Sequence, residues 1–349
     1  MNHDLVQPPV LAAGDRVAVV SPSFAVPAVA PAKHEQAMGR IRDELGLEPV
    51  EYPTTRQLDS TPADRARDLH AAFADPTIRA VLSTLGGEDQ LTVLPHLDPA
   101  VFRADPKPFL GYSDNTNLLN WMWFHGLAGF HGGSTQVHLG RGGGTHPASM
   151  ASLRAALFGG DLAITEVDTF NEDEMDWDNP AALTSVAFTL PSEGFVWHRP
   201  ERVVTAPTWG GNVEILQWTL GVSRFVHPPE VYAGCVLLLE TSEELPSADE
   251  VFRILRVMGE RGLLEQFAAA VVARPKASFI HTPRSPEQRV VYRSEQKAAV
   301  RRAFERYNPE AMIVFDVDFG HTDPQWVLPY GGRLTLDGPN RRITAHFDR

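Results

Sequence analysis

Ser113 stands where a short apolar run at 108–111 gives way to Asp114-Asn115-Thr116-Asn117, followed by apolar residues at helical spacing through Phe124. That pattern reads as strand, tight turn, helix. A hydroxyl in such a turn points away from the sheet, beside helix N-terminal amides. Serine hydrolases expose a nucleophile in this way. A capping serine is the plainer reading, because Ser, Asp, Asn and Thr all begin helices. A serine also needs a base within hydrogen-bond reach, and the base needs an acceptor to orient it.

Two strand ends further along the chain supply residues of those types. Glu240 closes the apolar run Leu237-Leu238-Leu239, and a carboxylate at the mouth of a buried strand suits an orienting role. His321 follows Ile313-Val314-Phe315 in the block Asp318-Phe319-Gly320-His321. The order nucleophile, acid, base is that of α/β-hydrolases, but position 115 is Asn, so the G-x-S-x-G elbow is absent. His125, His131 and His138 match no metal-ligand spacing, and no metal site is expected.

The elements that must position these residues alternate. Strands are expected at 16–21, 79–85 and 108–111, an extended piece at 48–52, and helices near 32–45, 62–75 and 147–158. This is an α/β pattern with a parallel sheet, of Rossmann or flavodoxin-like type. Sites in such sheets form beyond the carboxyl ends of the strands, where Ser21, Gly86-Gly87 and Ser113 all fall. Residues 140–144, Gly-Arg-Gly-Gly-Gly, read as a flexible connection. Residues 165–200 read as a long acidic loop carrying Trp177. The division expected is an N-terminal α/β nucleophile domain at 1–168 and a C-terminal mixed α+β domain at 169–349. The second domain has short strands near 202–206, 234–240, 269–273, 312–316, 333–336 and 342–346, and helices near 248–261 and 294–307.

Composition narrows the partners. The 349 residues are 43% hydrophobic with a formal net charge of −13, which suits a globular protein and disfavours nucleic acid and anionic membranes. The N-terminus lacks a secretory pattern, no stretch is long enough to cross a bilayer, and the single cysteine, Cys235, lies in an apolar run. A cytoplasmic protein with a packing cysteine is expected.

Taken together, Gly111-Tyr112-Ser113-Asp114 with Thr116, Gly86-Gly87, Gly210-Gly211-Asn212, Leu239-Glu240 and Asp318-Phe319-Gly320-His321-Thr322 with Pro324 resemble the S66 serine peptidases. That family comprises the murein LD-carboxypeptidases and the microcin C immunity (MccF-like) peptidases, and the resemblance runs over essentially the whole chain. It implies a cofactor-free Ser-His-Glu triad split between two domains, and a homodimer. Ser113 would be the nucleophile, His321 the base and Glu240 its partner. The backbone amides of Asp114 and of Gly86-Gly87 would form the oxyanion hole, and Asn212 would contact substrate.

The long loop with Trp177 resembles the MccF-like branch, in which an aromatic covers the base of an aminoacyl-nucleotide. That branch carries a lysine four residues after the triad glutamate. Here the position is Glu244, beside Glu243, which disfavours an acidic substrate group. The substrate expected is a peptidyl- or aminoacyl-nucleotide, with a murein tetrapeptide as the alternative. A binding protein that has lost catalysis is the third reading.

Overall fold

The computed structural model describes residues 5–347. Two sheets carry the chain. The first has six strands in the spatial order Leu328–Tyr330, Gly129–His131, Phe109–Gly111, Ile78–Ser83, Arg16–Val20 and Glu48–Glu51. The last five run parallel to one another. Their interior strands are almost continuously apolar because helices cover both faces. The helix Pro62–Ala74 starts where expected, with a Thr61–Asp64 capping box and Pro62 in its first turn.

The second sheet has eight strands, in the order Asp161–Ile164, Arg342–His346, Arg333–Asp337, Val203–Asn212, Val236–Glu240, Ala269–Ala273, Met312–Val317 and Val196–His198. Its core is parallel from residues 208–212 through Met312–Val317, and its flanks are antiparallel. Val203–Asn212 does both jobs. Its first half pairs antiparallel with Arg333–Asp337 and its second half parallel with Val236–Glu240. The strand expected at 202–206 therefore runs on to Asn212, through Gly210 and Gly211.

The halves interlock. Leu328–Tyr330 leaves the second half of the chain to pair with Gly129–His131 of the first sheet, and Asp161–Ile164 pairs with Arg342–His346 of the second. Trp209 Nε1 donates to Asn120 Oδ1 at 2.8 Å, and Tyr330 Oη donates to the Gly210 carbonyl at 3.0 Å. A Cβ on Gly211 would lie 2.8 Å from Thr116 Oγ1, so the strand reaches the helix Thr116–Phe124 only as glycine. One continuous apolar core spans both sheets.

Two stretches differ from their sequence reading. Residues 140–144 are tied down: Arg40 donates to the carbonyls of Leu139 and Arg141, and the Arg141 guanidinium pairs with Asp323 at 2.9 Å. A Cβ on Gly142 would lie 2.1 Å from the Ser185 carbonyl, so that glycine marks a close approach rather than slack. The 165–200 stretch holds a small ribbon, Thr169–Phe170 with Leu190–Pro191, and its Glu172-Asp173-Glu174 run is ion-paired. Glu172 meets Arg289 and Arg293, Asp173 meets Arg289, and Glu174 meets Lys276. Those cations lie more than a hundred residues away, so the acidic run alone did not disclose them.

Candidate active site

The carboxyl ends of both parallel sheets open on one cavity of about 1060 Å³. Ser113, Gly86, Gly87, Trp177, Asn212, Glu244 and His321 all line it. Asp114 and Glu240 sit behind the wall, fully buried.

Ser113 follows the Phe109–Gly111 strand and begins a 3₁₀ turn, Ser113–Asn115, that leads into the helix Thr116–Phe124. Its φ is +60°, a left-handed conformation that costs a non-glycine residue about 1–2 kcal/mol. Neighbouring contacts hold it there. A Cβ on Gly111 would meet Asn115 Cβ at 2.7 Å, and one on Gly86 would meet Ser113 Cβ at 2.8 Å and Asp114 N at 3.1 Å. The elbow is therefore built without the G-x-S-x-G sequence, with glycine before the serine and glycine on the facing turn.

The Asp114 carboxylate accepts from Ser23 Oγ, from the Gln90 backbone N–H and from Asn117 Nδ2. Gln90 Nε2 in turn donates to Asn115 Oδ1 at 2.8 Å. These bonds fasten the segment after Gly86-Gly87 to the elbow. Backbone N–H groups fixed in advance at a reacting centre stabilise developing negative charge without reorganising.

His321 is delivered by its own block. Asp318 pairs with Arg274 at 2.8 Å, and its carbonyl accepts from Trp326 N–H. Phe319 enters the core. A Cβ on Gly320 would lie 2.9 Å from Ala273 Cβ and 3.0 Å from Glu240 Cβ, so only glycine lets the loop pass this close to the acid. The ring then places Nδ1 2.6 Å from Glu240 Oε2. Tyr112 packs beside it, with ring centroids 4.9 Å apart.

The other ring nitrogen, Nε2, faces Glu243 Oε2 at 3.2 Å. No hydrogen bond joins Ser113 to His321 among the described residues. Burial lowers the His321 pKa, but the Glu240 and Glu243 carboxylates and the Glu240 hydrogen bond outweigh it and raise the imidazole to about 9. Burial raises Glu240, and His321 beside it more than offsets that, leaving the carboxyl below its usual range.

Asn212 pairs in register with Glu240 on the adjacent strand. Its Oδ1 caps the helix Val213–Val222 by accepting from Ile215 N–H at 2.9 Å. Trp177 lines the cavity with the Lys33 ammonium 5.6 Å from its ring centroid. Cys235 is buried, and burial pushes its thiol up to about 12. No group of three or more His, Cys, Asp or Glu that could hold a metal occurs among the described residues, and no described helix is long and apolar enough to cross a membrane.

Sequence reasoning passed over Glu214, Lys276 and Arg141, which also line the cavity. Glu214 Oε1 accepts from Ser242 N–H and Oγ at 2.9 and 2.7 Å. Burial, with Glu240 nearby, raises its carboxyl to about 7. Lys276 lies just past the Ala269–Ala273 strand, so the strand-end rule that found Glu240 would also have found it.

The sequence profile of the LD-carboxypeptidase N-terminal domain of peptidase family S66 matches residues 17–132, and that of the C-terminal domain matches residues 205–336. A putative carboxypeptidase of Vibrio cholerae is 26% identical over 344 residues, 95% of this chain and 94% of that protein. The microcin C7 self-immunity protein MccF of Escherichia coli is 24% identical over 358 residues, 98% of this chain and 96% of that protein. The structure of an MccF-like protein from Streptococcus pneumoniae in complex with AMP superposes with a TM-score of 0.84 at 22% identity, over 96% of this chain and 100% of that one.

Proposed function

The chain belongs to the S66 family of carboxypeptidase-type hydrolases, and on that premise we propose that it is an MccF-like serine peptidase working through Ser113, His321 and Glu240. The observation that carries this reading is convergence. The Glu240–His321 pair, 2.6 Å apart, and the strained Ser113 turn open on the same cavity from opposite halves of the chain.

Ser113 Oγ attacks the substrate carbonyl while His321 Nε2 takes its proton. Glu240 holds the ring through Nδ1 and stabilises the imidazolium that forms. The Asp114 amide and the amides of the Gly86-Gly87 turn receive the oxyanion. The protonated His321 then donates to the leaving group. Water activated through the same ring releases the acyl group, restoring Ser113.

The substrate we assign is a peptidyl- or aminoacyl-nucleotide. Trp177 on the cavity wall offers a flat face to a base. The relative named for microcin C7 self-immunity and the fold neighbour holding AMP favour the same reading. The family description, LD-carboxypeptidase, supports the alternative of a murein tetrapeptide. The protein would act as a cofactor-free homodimer.

Incubation with an aminoacyl-sulfamoyl-adenosine and, separately, with a murein tetrapeptide, followed by mass spectrometry, tests the assignment. Cleavage of the first alone supports it. Cleavage of the tetrapeptide alone moves the protein to the murein branch. Neither ligand cleaved, with one of them bound unchanged, would mean a binding protein.

A further inference from the structure

Glu243 stands against the ring nitrogen that must face the serine hydroxyl. Its Oε2 lies 3.2 Å from His321 Nε2, while Nδ1 of the same ring is bound to Glu240. A carboxylate thus lies against each ring nitrogen, hydrogen-bonded at Nδ1 and in ion-pair contact at Nε2, an environment that favours the imidazolium. An imidazolium cannot accept the Ser113 proton.

The backbone beside Glu243 is held on both sides. Ser242 is bonded to Glu214 through both N–H and Oγ, and Leu245 two residues on has a φ of +54°. The Glu243 side chain is 43% exposed and lines the cavity. Glu244 and Glu88 line the same cavity. Burial, Glu243 and Glu88 together raise the Glu244 carboxyl, which marks a wall where negative charges crowd one another.

We propose that Glu243 is a positioning and specificity residue, a latch that holds His321 off Ser113 until an ammonium group on the acyl side of the substrate draws its carboxylate away. This rests on the triad reading above and adds the substrate class to it: an acyl group carrying a free amine or a basic side chain. As Glu243 turns to the ammonium, the Nε2 proton of His321 leaves to water. The neutral ring then accepts the Ser113 proton as Oγ bonds to the carbonyl carbon.

The charged and titratable groups around the ring are few. Glu240 lies on one strand and Glu243 on the segment after it. Lys276, beyond the next strand, opposes them. Tyr112 packs on the ring, and His131 stands behind Glu240. Asp323, on the ring's own loop, is neutralised by Arg141. Glu243 is the one among these with a half-exposed side chain against Nε2.

The test is covalent labelling of the full chain with two fluorophosphonates, one with an ammonium on its alkyl arm and one with an uncharged isostere. Labelling rates are followed from pH 6 to 10 for the natural protein, Glu243→Gln and Glu244→Gln. The natural protein is expected to take the uncharged probe slowly at pH 7 and the cationic one faster. Glu243→Gln should label faster with the uncharged probe, roughly tenfold for each unit by which the base's pKa falls. Its cationic preference should vanish, and its acid limb should move to lower pH. Glu244→Gln should weaken the preference and leave the acid limb in place. A Glu243→Gln protein that melts like the natural one and keeps both its pH profile and its probe ratio overturns the latch. Labelling of Ser113→Ala at the natural rate would instead overturn the triad reading, and the latch with it.

Discussion

His131 Nε2 stands 3.9 Å from Glu240 Oε1, on the far oxygen from the one that holds His321. Burial drives the His131 pKa down to about 4, so at neutral pH this ring is an uncharged neighbour. The Glu240 carboxylate therefore has one cationic partner, His321, and its charge is committed to orienting that ring. Replacing Glu240 by Gln keeps the shape and removes the charge. We expect kcat to fall on the order of 10³–10⁴-fold, because the amide no longer enforces the productive tautomer. A loss under tenfold would remove Glu240 from the mechanism.

Two buried groups, His321 and Glu214, contribute stability that is lost as pH rises, while buried His131 and His138, both held near 4, contribute in the opposite sense below 6.5. The His321 pKa is raised to about 9 in the folded protein, so its contribution is fully present below the ordinary value of 6.5 and lost by 9. Glu214 is raised to about 7 from 4.5, so ionising it costs stability between those values, by at most about 3 kcal/mol. A Gln at 214 still accepts from Ser242 and carries no charge to desolvate. The melting temperature of Glu214→Gln relative to the natural protein should climb from pH 5 to 7, as the natural protein loses the Glu214 contribution and the variant does not. Parallel curves would show that the Glu214 carboxyl titrates normally.

Gly86→Ala should strike catalysis harder than folding. The new methyl would lie 2.8 Å from Ser113 Cβ and 3.1 Å from the Asp114 amide, so the turn must retreat from the oxyanion position. Losing one such donor costs on the order of 10²–10³ in kcat. Turnover of an aminoacyl-sulfamoyl-adenosine checks this, and an unchanged kcat would place the oxyanion elsewhere.

Trp177→Ala separates the two substrate readings. Loss of base stacking removes about 1–3 kcal/mol, roughly five- to a hundredfold in Kd, for a nucleotide ligand. Isothermal titration with AMP should show that drop, while binding of a murein tetrapeptide should hardly change. Equal effects on both would mean that Trp177 only shapes the wall.

What the sequence disclosed follows the range of the forces involved. Strand ends, helix starts and the Gly-Tyr-Ser-Asp turn are written in neighbouring residues, and the helices at Pro62–Ala74 and Pro147–Phe158 fall where the pattern puts them. Ser113, Glu240 and His321 were legible because each ends an apolar run. The partners of Glu172 and Glu174 were not, since Arg289, Arg293 and Lys276 meet them only through the tertiary fold. The contact of Glu243 with His321 was hidden for the same reason. Its pairing depends on Gly320 letting one loop close on another, and no local spacing records that.

The central claim is that Ser113 becomes covalently acylated with His321 as its base. Intact mass and peptide mapping after treatment with an alkyl fluorophosphonate at pH 9 measure this directly. The expected result is one adduct per chain, on the peptide containing Ser113, absent from Ser113→Ala and formed far more slowly in His321→Ala. An adduct on another residue, or equal labelling of all three proteins, would contradict it.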